Sequence, residues 1–148
     1  MDKKCASADV IARECIAVRL RLLNRVVTNI YDDALRGLGL KVSQMNILVV
    51  AAKLGLAGPS QVCEILQLDA STLSRNVERM RARGWLETER GKDRRTQPFR
   101  LTAAGRKLLE RAIPAWEEGQ RRAAELLGDA GLALLSSLAG KLSRLPKR

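Results

Sequence analysis

The sequence predicts a mainly α-helical fold that contains one β-hairpin. Apolar residues recur at steps of three and four along most of the chain, which is the period of an α-helix. After Gly84 that period gives way to two short alternating stretches with a charged stretch between them, which is typical of a β-hairpin. The length of 148 residues suits one domain of ordinary size. We therefore predict a single domain, 1–148, in which a hairpin separates two helical regions.

The first predicted helix is long. Ser7 is a candidate cap, and the helix is expected to run as one piece to about Arg36, before Gly37. One continuous apolar face follows its length: Ile11, Cys15, Val18, Leu22, Val26 and Ile30. Such a helix would be roughly 45 Å long, which exceeds any core that this chain builds alone. We expect its surplus apolar length to pack on a second subunit.

Two shorter helices come next. Ser43 is a candidate start and Gly55 a candidate end for the first of them, whose run from residue 47 to 52 is apolar on nearly every side and indicates burial. Ser60 is the candidate cap of the following helix. Its inward face is expected to hold Val62, Cys63, Ile65 and Leu66.

The next helix lies within "STLSRNVERMRARGW", where Asp69 is the predicted cap and Gly84 the predicted end. It is separated from the helix before it by "QLD", so the pair forms a helix-turn-helix pattern. A narrow stripe of Leu73, Val77 and Met80 is expected to be buried. The opposite side carries Ser71, Thr72, Arg75, Asn76, Arg79 and Arg83.

A β-hairpin is predicted directly after Gly84. "WLETERG" and "TQPFRL" alternate, and the short charged stretch "KDRR" lies between them. Pro98 cannot donate a hydrogen bond to a strand partner, so it should lie at an edge or at the margin of a strand. A hairpin in this position is the wing of a winged helix-turn-helix.

Two further helices complete the predicted chain. Thr102 is the candidate cap of the first, Pro114 should kink or break it, and Gly128 should end it. The last helix is rich in leucine. Apolar surface for a dimer would come from Leu126, Leu127, Leu132, Leu134, Leu135, Leu138 and Leu142, although the same residues can also cover the core of one subunit.

Charge and residue usage narrow the functional class. The chain has 27 basic and 16 acidic residues, a net charge of +11, which favours a polyanionic partner such as nucleic acid. It has no histidine, and its three cysteines form no CxxC, which argues against zinc and against Ser-His or Cys-His catalysis. We expect no metal, no cofactor and no enzymatic activity.

Cellular location is inferred from the cysteines and from the absence of long apolar runs. An odd number of cysteines without a secretory signal indicates a reducing compartment, so a cytoplasmic location is expected. No window approaches 18 uninterrupted apolar residues, and no membrane partner is expected.

The arginine-rich helix carries the groups that read DNA. A major groove admits one helix, where arginine and asparagine can pair with base edges. The predicted binding residues of this helix are Ser71, Thr72, Arg75, Asn76 and Arg79. The hydroxyls of the first two are expected to help a phosphate bind at the helix N-terminus.

The hairpin turn holds Lys92, Asp93, Arg94 and Arg95. Such a basic tip fits a narrow minor groove, which attracts arginine. Asp93 would form a salt bridge that positions an arginine within the turn. The alternative is that aspartate is present because it favours turns.

"STLSRNVERMRARGWL" followed by "KDRRTQPFRLTAAG" resembles the multiple-antibiotic-resistance regulator (MarR) family, over about residues 10–145. The Asp-x-Arg-Ser/Thr element of that family's wing is matched by Asp93, Arg95 and Thr96. The Leu-Thr-x-x-Gly element is matched by Leu101, Thr102 and Gly105. Pro98 departs from the pattern, which usually has an aliphatic residue there.

The resemblance implies a homodimer with dimerisation helices at 7–40 and 102–148 and a winged helix-turn-helix DNA-binding region at 43–101. The recognition helices would enter successive major grooves, and Arg95 would be the minor-groove arginine held by Asp93. The function implied is a sequence-specific transcription regulator of double-stranded DNA, a repressor that a small aromatic or phenolic effector releases. That effector would bind between the dimerisation and DNA-binding regions.

Two alternatives stay open at this point. One is a redox-sensing regulator that uses Cys15, with Arg19 one turn away to favour its thiolate. The other is a non-specific architectural or ribosome-associated nucleic-acid-binding protein, which would show no sequence preference. Competition between a promoter fragment and random DNA separates the second alternative from a specific regulator.

Overall fold

A computed structural model describes residues 6–89 and 97–142 of the chain, and the side chains of residues 7–141 within them. In these ranges the elements are α1 (Ala6–Glu14), α2 (Ile16–Leu35), a 3-10 turn (Arg36–Leu38), α3 (Val42–Leu54), α4 (Pro59–Leu66), α5 (Ala70–Ala82), β1 (Leu86–Thr88), β2 (Phe99–Leu101) and α6 (Ala103–Leu142). The predicted class, mainly helical with one antiparallel hairpin, is confirmed.

The core lies where α3, α4, α5 and the hairpin meet, and α6 covers it from one side. It is aliphatic except for Phe99, as the low aromatic content predicts. Its most deeply buried large side chains are Phe99, Leu35, Leu40, Ile47, Leu48, Leu73, Met80 and Val62. The buried stripe of α5 contributes to this core, so the polar side of that helix must face away from it.

α2 packs chiefly along α6. The ring of Tyr31 packs closely on Gly119, where a β-carbon would lie 2.8 Å from the ring. The Tyr31 hydroxyl donates a hydrogen bond to the side chain of Gln120. Burial raises the pKa of Tyr31 above its ordinary value of 10.0. This contact fixes α6 against the N-terminal part of the chain.

The predicted single first helix is interrupted. Cys15 has an extended backbone, with φ −66° and ψ 109°, and separates α1 from α2. The break frees carbonyl groups at the end of α1, and the Arg19 guanidinium donates a hydrogen bond to the carbonyl of Arg13. The expectation of one continuous helix is therefore wrong, although the end of α2 near Arg36 is confirmed.

Two of the predicted helix starts are displaced. α3 begins at Val42 and α4 at Pro59, so Ser43 and Ser60 lie in the first turns and do not cap them. The N–H of Val42 donates to the Asp32 carboxylate at 2.8 Å, and α4 begins with a proline, which has no N–H to satisfy. Ile65, expected to face inward, is exposed.

Pro114, which is expected to kink or break the helix, does not break it. α6 continues through Pro114, whose neighbours Ala112 and Ala115 pack on the core. Gly128 has φ 64° and ψ 172°, a conformation that only glycine adopts readily, and there the helix is interrupted as predicted. Packing of the helix wall on both sides of the proline offsets the one hydrogen bond that the proline removes.

α1, α2 and α6 expose many large apolar side chains. The exposed members are Val10, Ile11, Ile16, Val18, Leu20, Leu22, Val26, Ile113, Trp116, Leu126, Leu134, Leu135 and Leu138. By length and composition alone, the stretch Ala103–Lys141 is also apolar enough to cross a membrane, and its most apolar window is only 6% buried. Exposure of so many apolar side chains to water is energetically unfavourable for a monomer. These surfaces of α1, α2 and α6 are therefore expected to be buried against another molecule.

Candidate nucleic-acid interface

The turn between α4 and α5 sets the angle at which α5 leaves the core. Gln67 takes the left-handed conformation, φ 51°, and its side chain donates to the carbonyl of Glu64 at 2.7 Å. The N–H of Leu68 donates to the carbonyl of Cys63 at 3.0 Å, which closes the end of α4. The "QLD" stretch is thus an ordered turn, as the helix-turn-helix pattern predicts.

α5 presents its arginines to solvent. Leu73 and Met80 are buried and Val77 is half-buried, which confirms the predicted stripe. We define the polar face of α5 by the exposed side chains of Ser71, Arg75 and Arg79 and the half-buried side chains of Thr72 and Asn76. All five predicted binding residues of this helix therefore lie on one side of it, away from the core.

Asp69 organises the N-terminus of α5. Its carboxylate accepts hydrogen bonds from the Thr72 N–H at 2.8 Å and from the hydroxyls of Ser71 and Thr72, each at 2.6 Å. The predicted cap is confirmed. The hydrogen bonds from Ser71 and then Thr72 hold the pKa of Asp69 well below its ordinary value of 3.8. Both hydroxyl protons point to Asp69 in the free chain, so the expected donation to a phosphate would require these two bonds to break.

Asp69→Ala is expected to lower the Tm by about 3 °C near neutral pH, because the cap is lost. A depressed carboxyl pKa stabilises the fold above the ordinary value of 3.8, and that contribution is lost as the pH falls below it. The Tm difference from wild type should therefore shrink between about pH 6 and about pH 3. Asp33→Ala, which removes an exposed carboxylate paired with Arg36, is the control and should show a small difference at both pH values. A constant difference for Asp69→Ala would contradict the linkage.

Two further hydrogen bonds order the polar face of α5. The Arg75 guanidinium donates to the Thr72 hydroxyl oxygen at 3.4 Å, and the Asn76 amide donates to the Thr72 carbonyl at 3.0 Å. Both bonds are to neighbours on the same helix, so neither side chain is held by the core.

Arg83 does not belong to the polar face of α5. Its guanidinium donates to the carbonyl of Gly39 and lies over the Trp85 ring, 4.9 Å from the ring centre. This arginine therefore joins the end of α5 to the turn after α2. The helical period places Arg83 with the other arginines of α5. That period carries no information on partners elsewhere in the chain, such as Gly39.

The described part of the wing is its base, which β1 and β2 form. β1 and β2 pair antiparallel with Leu86 opposite Leu101 and Thr88 opposite Phe99, and the N–H of Glu89 donates to the carbonyl of Pro98 at 3.0 Å. Pro98 lies just before β2, so its predicted place at a strand margin is confirmed. The predicted binding residues of the tip lie outside the described residues: Lys92, Asp93, Arg94 and Arg95.

Two features support the base of the wing. Ala57 forms a bridge to the other side of β2, with two hydrogen bonds to Phe99 of 2.8 and 3.0 Å. Arg100 pairs with Glu87 at 2.7 Å across the strands. The bridge escaped sequence reasoning, since one residue after a helix gives no alternating pattern.

The Leu-Thr-x-x-Gly stretch joins the wing to α6. Thr102 caps the helix by accepting from the N–H of Gly105 at 3.0 Å, and its hydroxyl donates to the carbonyl of Gly84. A β-carbon on Gly105 would collide with the carbonyl oxygen of Trp85 and lie 3.0 Å from its carbonyl carbon. Glycine is needed here because two backbones touch.

A groove of about 820 Å³ lies between α4, α5 and the wing base. Cys63 and Phe99 line it, together with Ser71 and Arg75 from the polar face of α5. Burial, and to a lesser extent Asp69, raise the pKa of the Cys63 thiol. Sequence reasoning missed the groove, because its walls come from segments far apart in the chain.

Comparison with known proteins decides the family. The sequence profile of the MarR family matches residues 38–96. The transcriptional regulator MosR of M. tuberculosis, solved in complex with DNA, is 32% identical to this chain, with a TM-score of 0.72 and coverage of 89% of this chain and 100% of MosR. The chain belongs to the MarR family. The profile match spans α3, α4, α5 and β1 and ends before β2.

Two other similar proteins have lower sequence identity to this chain. BpsR of Bordetella bronchiseptica, in a structure concerned with the regulation of its DNA binding by 6-hydroxynicotinic acid, is 24% identical, with a TM-score of 0.75 and coverage of 90% of this chain and 96% of BpsR. YwoH of Bacillus subtilis, an uncharacterized HTH-type transcriptional regulator, is 26% identical over 86 residues. These residues are 58% of this chain and 63% of YwoH, which is less than two thirds of its length.

Proposed function

We propose that this MarR-family protein is a sequence-specific regulator of transcription that binds double-stranded operator DNA in the cytoplasm. The observation that carries the proposal is the polar face of α5, which sets arginine, asparagine and hydroxyl groups on the exposed side of a helix held by a buried stripe. This face matches the donors and acceptors of a major groove. The likeness to MosR in complex with DNA supports it.

The binding residues divide between two grooves. Arg75, Arg79 and Asn76 are the base-reading residues of α5, with Ser71 and Thr72 at its N-terminal end. The wing tip would enter the adjacent minor groove with Lys92, Arg94 and Arg95, the last held by Asp93. The base of the wing supports this placement, because β2 is tied on both sides, to β1 and to Ala57.

The active species is a homodimer in which residues 7–40 and 102–148 form the dimerisation region, and residues 43–101 the DNA-binding region. The exposed apolar side chains of α1, α2 and α6 support this division. A second copy covers them and places a second α5 on the same side of the duplex, about one helical turn away.

Burial against a second copy explains the apolar part of α6 better than a membrane does. A spanning helix needs about 20 predominantly apolar residues in one piece. In α6 the backbone is interrupted at Gly128, and two carboxylates, Glu125 and Asp129, flank that interruption. Carboxylates at mid-membrane depth are costly, whereas at a dimer surface they can remain in water.

The protein acts as a repressor that a small aromatic or phenolic molecule releases. The groove between α4, α5 and the wing base is suited to such a molecule, and it shares Ser71 and Arg75 with the polar face of α5. A ligand there would compete directly with DNA. This location lies inside the DNA-binding region and not, as the resemblance implied, between that region and the dimerisation helices. The likeness to BpsR supports the class of effector.

The redox alternative gains no support from the surroundings of Cys15. The Arg19 side chain, expected to favour its thiolate, donates instead to the Arg13 carbonyl. Cys15 is half-buried at the break between α1 and α2, and both described cysteines are free thiols.

Selection of bound fragments from a random pool of duplex DNA tests the proposal. We expect enrichment of a palindrome whose half-sites lie about 10 base pairs apart. Enrichment of no sequence, with equal binding to all fragments, would favour the architectural alternative and overturn the proposed function.

Arg75→Ala is expected to narrow the affinity gap between the selected operator and random DNA by about tenfold, because a base contact worth about 1–3 kcal/mol is lost. Binding titrations on both DNAs at fixed salt measure the gap. Arg121→Ala removes the same charge from α6, where Arg121 pairs with Glu118 and Glu125, and should leave the gap unchanged. An equal fall on both DNAs for Arg75→Ala would reduce its role to a phosphate contact.

A further inference from the structure

We propose that Asp69 is a positioning residue that determines sequence specificity by fixing the direction of two hydroxyl groups on α5. With their protons held by Asp69, Ser71 and Thr72 present only acceptor oxygens to the duplex. They would therefore select base pairs with an exposed amino group in the major groove, N6 of adenine or N4 of cytosine. This inference rests on the proposed function, since it assigns a preference to the same surface.

The direction of both hydroxyls follows from the chemistry of their partner. An ionised carboxylate has no proton and can only accept. The Ser71 hydroxyl lies 2.6 Å from one carboxylate oxygen of Asp69, and the Thr72 hydroxyl lies 2.6 Å from the other. Because both are hydrogen bonds to an acceptor, each hydroxyl must donate its single proton inward. The depressed pKa of Asp69 keeps the carboxylate ionised throughout the physiological range.

Only the lone pairs of the Ser71 and Thr72 hydroxyl oxygens remain available to bind DNA. Ser71 is exposed, so its oxygen is open to a partner outside the protein. Thr72 is half-buried, and within the described part of the chain its hydroxyl oxygen accepts one long contact, 3.4 Å, from Arg75, which a base edge can replace. Acceptors cannot pair with N7 or O6 of guanine or with O4 of thymine, because those atoms are acceptors too. The pair thus rejects guanine and thymine at the positions it faces.

The carboxylate also changes what the start of α5 can bind. A helix N-terminus ordinarily attracts phosphate through its free N–H groups and partial positive charge. Here Asp69 occupies the N–H of Thr72 and brings a full negative charge. The start of α5 is therefore suited to a base edge and not to the phosphate backbone.

Asp69→Asn tests the direction of the hydroxyls without removing the cap. Asparagine is as good a cap as aspartate, and its carbonyl oxygen can keep the bonds that one carboxylate oxygen makes to the Thr72 N–H and the Ser71 hydroxyl. Its amide nitrogen takes the place of the other oxygen and donates to the Thr72 hydroxyl. The Thr72 proton is then released outward, and that hydroxyl becomes a donor.

Selections from the same random pool would be run on wild type, Asp69→Asn, Thr72→Val and the charge control Asp33→Asn. For wild type and Asp33→Asn we expect adenine or cytosine at the position that Thr72 faces. For Asp69→Asn we expect guanine or thymine to be accepted there, with the preference reduced about fivefold or reversed. Thr72→Val should lose the preference at that position alone. Equal Tm values for wild type and Asp69→Asn would show that the cap is intact.

The outcomes separate the two proposals. If wild type selects a palindrome and Asp69→Asn selects the same one with the same base preferences, the role of Asp69 is overturned and the proposed function stands. If wild type selects nothing, the proposed function fails and this inference fails with it. A uniform gain in affinity of Asp69→Asn for all DNA, without a change in the motif, would assign Asp69 an electrostatic role only and would also overturn the inference.

Discussion

Replacing Gly105 with alanine is expected to lower the free energy of unfolding by about 3 kcal/mol, because the new methyl group has no room. Its β-carbon would collide with the carbonyl oxygen of Trp85. That carbonyl accepts the N–H of Thr102 at 3.1 Å, so it cannot turn aside without losing a hydrogen bond. The obstacle is backbone, and a change of side-chain rotamer cannot relieve it. Urea unfolding followed by circular dichroism measures the loss.

Gly37→Ala is the control for this substitution. Gly37 lies in the 3-10 turn, and a β-carbon there would meet nothing within 4 Å. We expect its free energy of unfolding to stay within about 0.5 kcal/mol of wild type. If Gly105→Ala were as stable as Gly37→Ala, the close approach of α6 to the start of the wing would be wrong.

Gly105→Ala should also weaken operator binding beyond its effect on stability. Thr102, three residues earlier, caps α6 and donates to the carbonyl of Gly84 at the end of α5. A displacement of α6 at Gly105 is therefore expected to move Gly84, which lies between α5 and the wing. Binding measured well below the Tm of the variant separates this effect from unfolding.

The parts of the molecule that the sequence predicts well are those with local causes. The buried stripe of α5, its cap Asp69 and its terminal Gly84 all lie within a few turns of one another, so period and capping rules suffice. The margin position of Pro98 follows likewise from the missing N–H of that one residue. The family resemblance then joins these local elements into the correct fold, because the order of helices and wing is itself informative.

The features that sequence reasoning missed depend on contacts between distant segments. Ala57 bridges to Phe99, Asp32 accepts from the start of α3, and Arg83 reaches Gly39. A helical wheel contains no information on such partners. The continuity of α6 at Pro114 also depends on distant contacts, because the helix packs on the core on both sides of the proline. Nothing in the structure explains the break at Cys15.

At the start of α5, a correct prediction of the cap Asp69 does not lead to the hydrogen-bond directions of the hydroxyls beside it. The sequence identifies the cap and places both hydroxyls on the polar face of α5. It does not reveal which way the hydroxyl protons point, because that depends on distances within the cap. The two 2.6 Å contacts direct both protons to Asp69, and the acceptor role that we propose for these hydroxyls rests on them.

Leu134→Glu is expected to abolish dimer formation at micromolar concentration, and operator binding with it. Leu134 is 59% exposed in the single chain and lies in α6 beyond the interruption at Gly128. Burying such a side chain is worth about 1.5–3 kcal/mol, and a twofold interface counts the loss twice, so the dimer Kd should rise about a thousandfold. Sedimentation velocity and a DNA titration measure the two effects. Ile11→Glu, in α1, should behave in the same way.

Ile65→Glu is the matched control, because Ile65 is also an apolar side chain that is 52% exposed, but it lies in α4, outside the proposed dimerisation region. It should sediment as a dimer. If Leu134→Glu and Ile11→Glu also remain dimers, the exposed apolar sides of α1 and α6 are not the interface, and the two copies of α5 are not spaced by these helices. If wild type itself is a monomer at micromolar concentration, the proposed pre-formed homodimer is excluded.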